Sequence, residues 1–194
     1  MPRDQDYLPE TPSQTAGPYV HIGLSPGAAG IDVYGTELGA TIAGTDVPGE
    51  RVRIEGLIFD GTGSPIKDAL LEVWQADANG HYPGGLDATT SGFSGWGRAL
   101  TDFSTGLWLF ANGALQAPHI NVWVVARGIN TGLHTRIYFS DEEQANATDP
   151  VLNLIEWEER RATLIARRHN KDYRPVYRFD IRLQGSDETV FLDV

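Results

Sequence analysis

The sequence predicts an all-β protein: an antiparallel β-sandwich of about eight strands with an extended N-terminal arm and one side helix. Three observations predict it. Short apolar or alternating runs recur along the chain, turn residues separate them, and only one stretch keeps helical spacing. Composition agrees, since 22 Gly and 11 Pro among 194 residues suit a turn-rich β fold with a 41% hydrophobic share.

The elements follow in order. Pro9, Pro12 and Pro18 make Leu8 to Leu24 an extended, non-helical arm. Ser25 to Glu50 is rich in Gly and Ala without a sustained period and reads as a long loop, so residues 1–50 form arm and loop and residues 51–194 the sandwich, one structural domain overall. Arg51 to Glu55 alternates strictly, as a half-buried strand does, and runs on through Leu57-Ile58-Phe59. Asp60 to Gly63 turns, Ala69 to Gln75 is the next strand, and Asp77 to Gly80 turns again. Gly80 to Gly97 is mostly loop; Arg98 to Asp102 leads into a turn at Ser104-Thr105-Gly106. Leu107 to Phe110 is a short strand closed by a tight connection at Asn112-Gly113. His119 to Ala126 and Leu133 to Phe139 are strands. Asp149 to Arg168 carries the one helical pattern, with Leu152, Ile155, Leu164 and Ile165 near helical spacing and Glu156 four residues before Arg160. Pro150 suits its first turn. Val176 to Gln184 and Glu188 to Asp193 are the last strands.

Charge and composition exclude several functions. A net charge of −11 argues against nucleic acid and anionic membrane as main partners. With no cysteine there is neither disulfide nor thiolate metal site. Met1 to Ser13 has no apolar core of a signal peptide, and no apolar run spans a bilayer, so a cytoplasmic protein is expected.

Few residues carry a chemical signal. The histidines, His21, His81, His119, His134 and His169, are scattered. On a strand, residues two apart share a face, so His119-Ile120-Asn121 has the spacing of a two-histidine ligand pair with an amide in the second place. An amide oxygen is a weak substitute for an imidazole toward iron. His119 also fits a satisfied strand histidine and His134 a half-exposed one. Asp141-Glu142-Glu143 and Glu156 to Glu159 read as solvated surface, and Trp74, Trp108 and Trp123 as core. Arg127 follows an apolar strand and precedes Gly128, so it emerges at a sheet end, where a guanidinium suits a carboxylate. An edge arginine without function has the same pattern. Gly17-Pro18 is a stiff turn before Tyr19 that lets backbone approach a ligand. The residues alone leave open a self-sufficient homomeric enzyme and a non-enzymatic binding module.

Longer motifs narrow this. Ile54-Glu55-Gly56-Leu57-Ile58 and Leu71-Glu72-Val73-Trp74-Gln75-Ala76-Asp77-Ala78-Asn79-Gly80-His81-Tyr82 resemble the signature of the intradiol ring-cleavage dioxygenases. Leu8 to Gly23, Ala117 to Ile120, Ala126 to Asn130, Asp149 to Asn153 and Tyr177 to Arg182 resemble the alpha-type chains of that family's heteromeric members. The resemblance implies a β-sandwich that pairs with a beta chain into αβ protomers, which assemble further. It implies Fe(III) held by the beta chain through two tyrosines and two histidines, and none held here. His119 stands where the first histidine would be and Asn121 where the second would be; Tyr82 belongs to the signature rather than to a ligand segment, so no metal site and no catalytic residue is expected in this chain. It implies that the alpha arm walls the active site, through Thr15, Gly17, Pro18 and Tyr19, and that Arg127 meets the carboxylate of an aromatic acid. The implied reaction is O2-dependent cleavage of 3,4-dihydroxybenzoate between its hydroxylated carbons. The chain departs from the family in two places: the loop after Tyr82 is short, and only Ala111 to Gln116 stands where a longer loop with Lys-Pro-Gly is usual.

Overall fold

Alternation in the sequence becomes pairing in the structure, a computed structural model that describes residues 14–17, 19–83, 92–115, 118–171 and 174–193. Ten strands form among these residues: β1 (Arg51–Gly56), β2 (Ile58–Phe59), β3 (Leu70–Trp74), β4 (Trp96–Leu100), β5 (Trp108–Leu115), β6 (His119–Val125), β7 (Leu133–Phe139), β8 (Ile165–Lys171), β9 (Arg174–Arg178) and β10 (Ile181–Arg182). Eight join in the order β4-β3-β6-β7-β8-β9-β1-β5, and β10 pairs with β2. The long sheet folds over on itself. Leu71, Val73, Ile120, Val122 and Phe139 from one half share a buried cluster with Val52, Ile54, Trp108, Phe110 and Tyr177 from the other. That is the sandwich the patterning predicts, with its core between the halves.

The expected antiparallel arrangement is corrected to a mixed one. β7 pairs β8, β1 pairs β9 and β2 pairs β10 in parallel. Parallel neighbours need a crossover between them, and residues 140–164 supply it between β7 and β8. β1–β9 and β2–β10 keep one register, with Leu57 and Asp180 at the interruption, where the Leu57 N–H donates to Asp180 Oδ1 at 2.8 Å. Val176 to Gln184 is therefore two strands, and Glu188 to Asp193 is irregular apart from one bridge between Leu192 and His134.

The single helix expected over Asp149 to Arg168 does not form. Instead α2 (Glu143–Thr148) precedes it, Leu152–Leu154 makes one 3-10 turn, α3 (Glu158–Ala162) is five residues long, and β8 begins at Ile165. Leu152 and Leu164 both pack on Tyr138 in a small second cluster. In one helix they would lie about 18 Å apart, at 1.5 Å per residue, and both could not reach that ring. Tertiary packing overrides the local pattern, and Arg160 donates to the Glu188 carbonyl rather than pairing with Glu156. The arm is corrected too. Val20–Leu24 is a helical turn, α1, rather than extended chain, while Pro9, Pro12 and Pro18 lie outside the described residues. The tight connection at Asn112-Gly113 is absent, because β5 continues through it to Leu115 opposite Arg51.

Asp141 is not plain solvated surface. The buried Tyr177 hydroxyl donates to it, 2.8 Å from Oδ1 and 2.9 Å from Oδ2, and Arg168 donates from β8. Burial pushes the Asp141 carboxyl up, but the Arg168 and Tyr177 hydrogen bonds outweigh it and hold the group below the ordinary aspartate range. A carboxylate whose folded pKa is lowered stabilises the fold above its unfolded value and loses that contribution as pH falls through the folded one. Asp141→Asn is therefore expected to cost roughly 1–3 kcal/mol at pH 7. The gap from the parent should close in acid, as read by denaturant melts across pH; a gap that persists below the carboxylate range would contradict the linkage.

Candidate functional site

The candidate residues named above fall in two places, one at a sheet end and one on an outer face. At the sheet end, β6 delivers the fully buried Ala126 and then Arg127, whose side chain is 60% exposed. Gly128 follows at φ 86, a left-handed conformation that lets the chain turn away and leaves the guanidinium facing out. Arg127 Nε donates to Asp68 Oδ2. The arm arrives at the same point: the Gly128 N–H donates to Thr15 Oγ1 at 2.9 Å. Gly17 accepts the Val20 N–H at 3.2 Å, and Tyr19 stands exposed before α1. Pro18 lies outside the described residues. A depression of about 670 Å³ opens beside Arg127, lined by Asp60, Pro65, Ile66, Lys67, Asp68 and Phe103. An anchored, exposed guanidinium over a depression can bind a carboxylate through two parallel hydrogen bonds.

The outer face belongs to the half built from β4, β3, β6 and β7. Trp96, Trp74, Asn121 and Arg136 form one row across these strands. Asn121 Oδ1 accepts from Arg136 Nε at 3.0 Å, while its Nδ2 donates to the Tyr82 hydroxyl at 3.3 Å. That hydroxyl lies 3.4 Å from His119 Nε2, and His119 Nδ1 lies 3.6 Å from Asp149 Oδ2. Tyr82, read from the sequence as part of the signature and not of a ligand segment, thus lies beside His119 and Asn121. The turn at Asp77 to Gly80 brings Tyr82 back over β3, where it stacks on Trp74 with ring centroids 6.1 Å apart.

Electrostatics define what this cluster does. Burial lowers the His119 pKa, the Arg136 charge lowers it further, and Asp149 opposes them in part, so the imidazole is neutral at pH 7. Burial raises the Tyr138 phenol to about 12, and its hydroxyl donates to Asp149 Oδ1 at 2.8 Å. A ferric ion asks for anionic oxygen donors and imidazoles. Here both ends of the Asn121 amide are already bonded, and a guanidinium stands beside it. The residues do not fit the ion. His134 does not complete the set: it pairs with Trp123, four residues along β6 from His119 and so about 13 Å away. Among the described residues no group of three or more His, Cys, Asp or Glu could hold a metal. His81 and His169 are exposed, and His21 lies on α1.

Trp108 is core as expected and fully buried, whereas Trp74 is 37% exposed and walls the outer face. The short loop after Tyr82 falls largely on residues 84–91, outside the described residues. No helix among the described residues is long and apolar enough to cross a membrane.

Known proteins are similar to this chain in sequence and in fold. A family model described as Dioxygenase matches residues 33–112. The chain is 51% identical over 198 residues to the protocatechuate 3,4-dioxygenase alpha chain of Pseudomonas putida, across 97% of this chain and 98% of that one. It is 30% identical over 160 residues to the protocatechuate 3,4-dioxygenase beta chain of Burkholderia cepacia, across 73% of this chain and 67% of the other. An intradiol ring-cleavage dioxygenase structure from Tetranychus urticae shares the fold, with a TM-score of 0.53 at 18% identity over 74% of this chain and 84% of that one.

Proposed function

This chain belongs to the intradiol ring-cleavage dioxygenase family, and we propose that it serves there as the non-iron-binding alpha subunit of a protocatechuate 3,4-dioxygenase. With an Fe(III)-bearing protocatechuate 3,4-dioxygenase beta chain it cleaves 3,4-dihydroxybenzoate. The bond between the two hydroxylated carbons breaks and each takes one oxygen atom from O2, giving the two new carboxylates of 3-carboxy-cis,cis-muconate in aromatic catabolism by the β-ketoadipate route. The αβ protomers assemble into a higher hetero-oligomer in the cytoplasm.

The observation that carries this reading is likeness to an alpha chain across almost the whole length. The outer face supports it, since Arg136 and Asn121 take each other as partners where a metal would need free donors. Iron supplies the activation of catechol and O2 when bound in the beta chain. This chain's part is recognition: Arg127 holds the substrate carboxylate, while Thr15, Gly17, Pro18 and Tyr19 wall the site between the chains. Exposed Tyr19, Leu154 and Trp157 suit burial against partner chains.

The test is expression with and without a beta chain. Alone, the chain should purify without stoichiometric iron and consume no O2 with 3,4-dihydroxybenzoate. Co-expressed, the complex should consume O2 and open the ring. Turnover by the chain alone would end the proposal.

A further inference from the structure

We infer that Asp68 is a positioning residue for substrate selectivity: it holds Arg127 by its Nε edge so that the outer edge of the guanidinium meets the substrate carboxylate. This rests on the role given to Arg127 above and goes one residue further.

Register makes the pair. β3 and β6 run antiparallel with Leu70 opposite Val125. Continuing that register two residues beyond the ladder puts Asp68 opposite Arg127, as a cross-strand pair of opposite charge. Both ends have rigid footings. Behind Asp68, the buried Ala69 donates its N–H to Thr101 Oγ1 at 2.9 Å, and its carbonyl accepts the Thr101 N–H at 3.0 Å. Behind Arg127, Ala126 is fully buried, and ahead of it Gly128 is tied to Thr15. Asp68 is the less exposed partner, at 19% against 60%, so the carboxylate is the fixed point and the guanidinium the group being held.

The contact uses one edge only. Arg127 meets Asp68 through Nε, and among the described residues its two terminal nitrogens have no partner. A guanidinium can offer a carboxylate either its Nε side or its outer fork. With Nε engaged, the fork is what remains for an incoming acid, and its direction is set by Asp68. Freed of Asp68, a long and exposed side chain would sample several rotamers, and each productive encounter would require ordering it again.

Selectivity is the readout that separates this role from a merely structural surface pair. In the αβ complex, kcat and KM are measured for 3,4-dihydroxybenzoate and for catechol, which lacks the carboxylate. Asp68→Asn is expected to lower the acid-to-catechol ratio of kcat/KM about tenfold, carried by a rise in KM for the acid. An equal loss on both substrates, no loss, or a fall in KM for the acid would overturn the inference; the last would make Asp68 a competitor for the fork. Arg127→Ala, run in parallel, keeps the two readings apart. If it leaves the ratio alone, the role of Arg127 fails; if it lowers the ratio and Asp68→Asn does not, only the inference about Asp68 fails. Should Asp68→Asn not co-purify with the beta chain, Asp68→Glu replaces it, with the carboxylate displaced by one methylene, and the same ratio decides.

Discussion

In complex with a beta chain, Arg127→Ala is expected to lower kcat/KM for 3,4-dihydroxybenzoate about a hundredfold, ~3 kcal/mol of transition-state stabilisation. The size follows from losing the bidentate, charge-assisted contact proposed for Arg127 in a site between two chains. Arg127 stands at the end of β6, exposed, held by Asp68 and beside the arm at Thr15. Removing its side chain leaves the substrate carboxylate facing the Asp68 carboxylate, so repulsion adds to the lost attraction. Iron content of the complex is the control, because the proposal gives Arg127 to carboxylate recognition and not to the metal. A variant that loses its iron, or that loses catechol turnover as severely as acid turnover, would place Arg127 in the structure of the interface instead.

The second large effect concerns the fold. Gly56→Ala should lower stability by about 3 kcal/mol and the melting temperature by roughly 6–12 °C. Gly56 closes β1 opposite Trp108. A methyl group built there would sit 1.7 Å from the Phe179 carbonyl oxygen and 2.7 Å from Trp108 Cζ2. Neither neighbour can yield cheaply, since one is backbone beside the parallel β1–β9 pairing and the other an indole with no exposed surface. Thermal melts of parent and variant decide it. A variant that melts within about 2 °C of the parent would show that this close approach relaxes easily.

How much of this was legible in the residues depends on whether the signal was local. β6 and β7 were readable within a residue at each end because β6 and the first part of β7 bury one face only, while the end of β7, Ile137 to Phe139, is an apolar run buried on both faces. Arg127 was readable as a strand-end cation because Gly128 punctuates the run. The stretch from Asp149 to Arg168 misled because its apolar spacing serves two separate demands, Leu152 and Leu164 on Tyr138 and Ala166 in the main core. Asn112-Gly113 misled because that pair usually turns a chain back, whereas here it falls at a register shift inside one continuous strand, between the pairs Ile54–Phe110 and Val52–Ala114. The cluster of Tyr82, His119, Asn121 and Arg136 needed the register of three strands, which no single segment encodes. Asp68 was hidden for the same reason: it looks like one more turn residue until β3 is laid against β6.

The parallel seam between β1 and β9 has a temporal meaning as well. Leu57 and Asp180, which meet at its interruption, are 123 residues apart. A growing chain leaving the ribosome can close β1 onto β5 early, but the opposite edge of β1 stays open until β9 has been synthesised. Contacts so distant form slowly, and an open strand edge invites stray association while it waits. Closure of this seam is thus a late event in the making of each molecule.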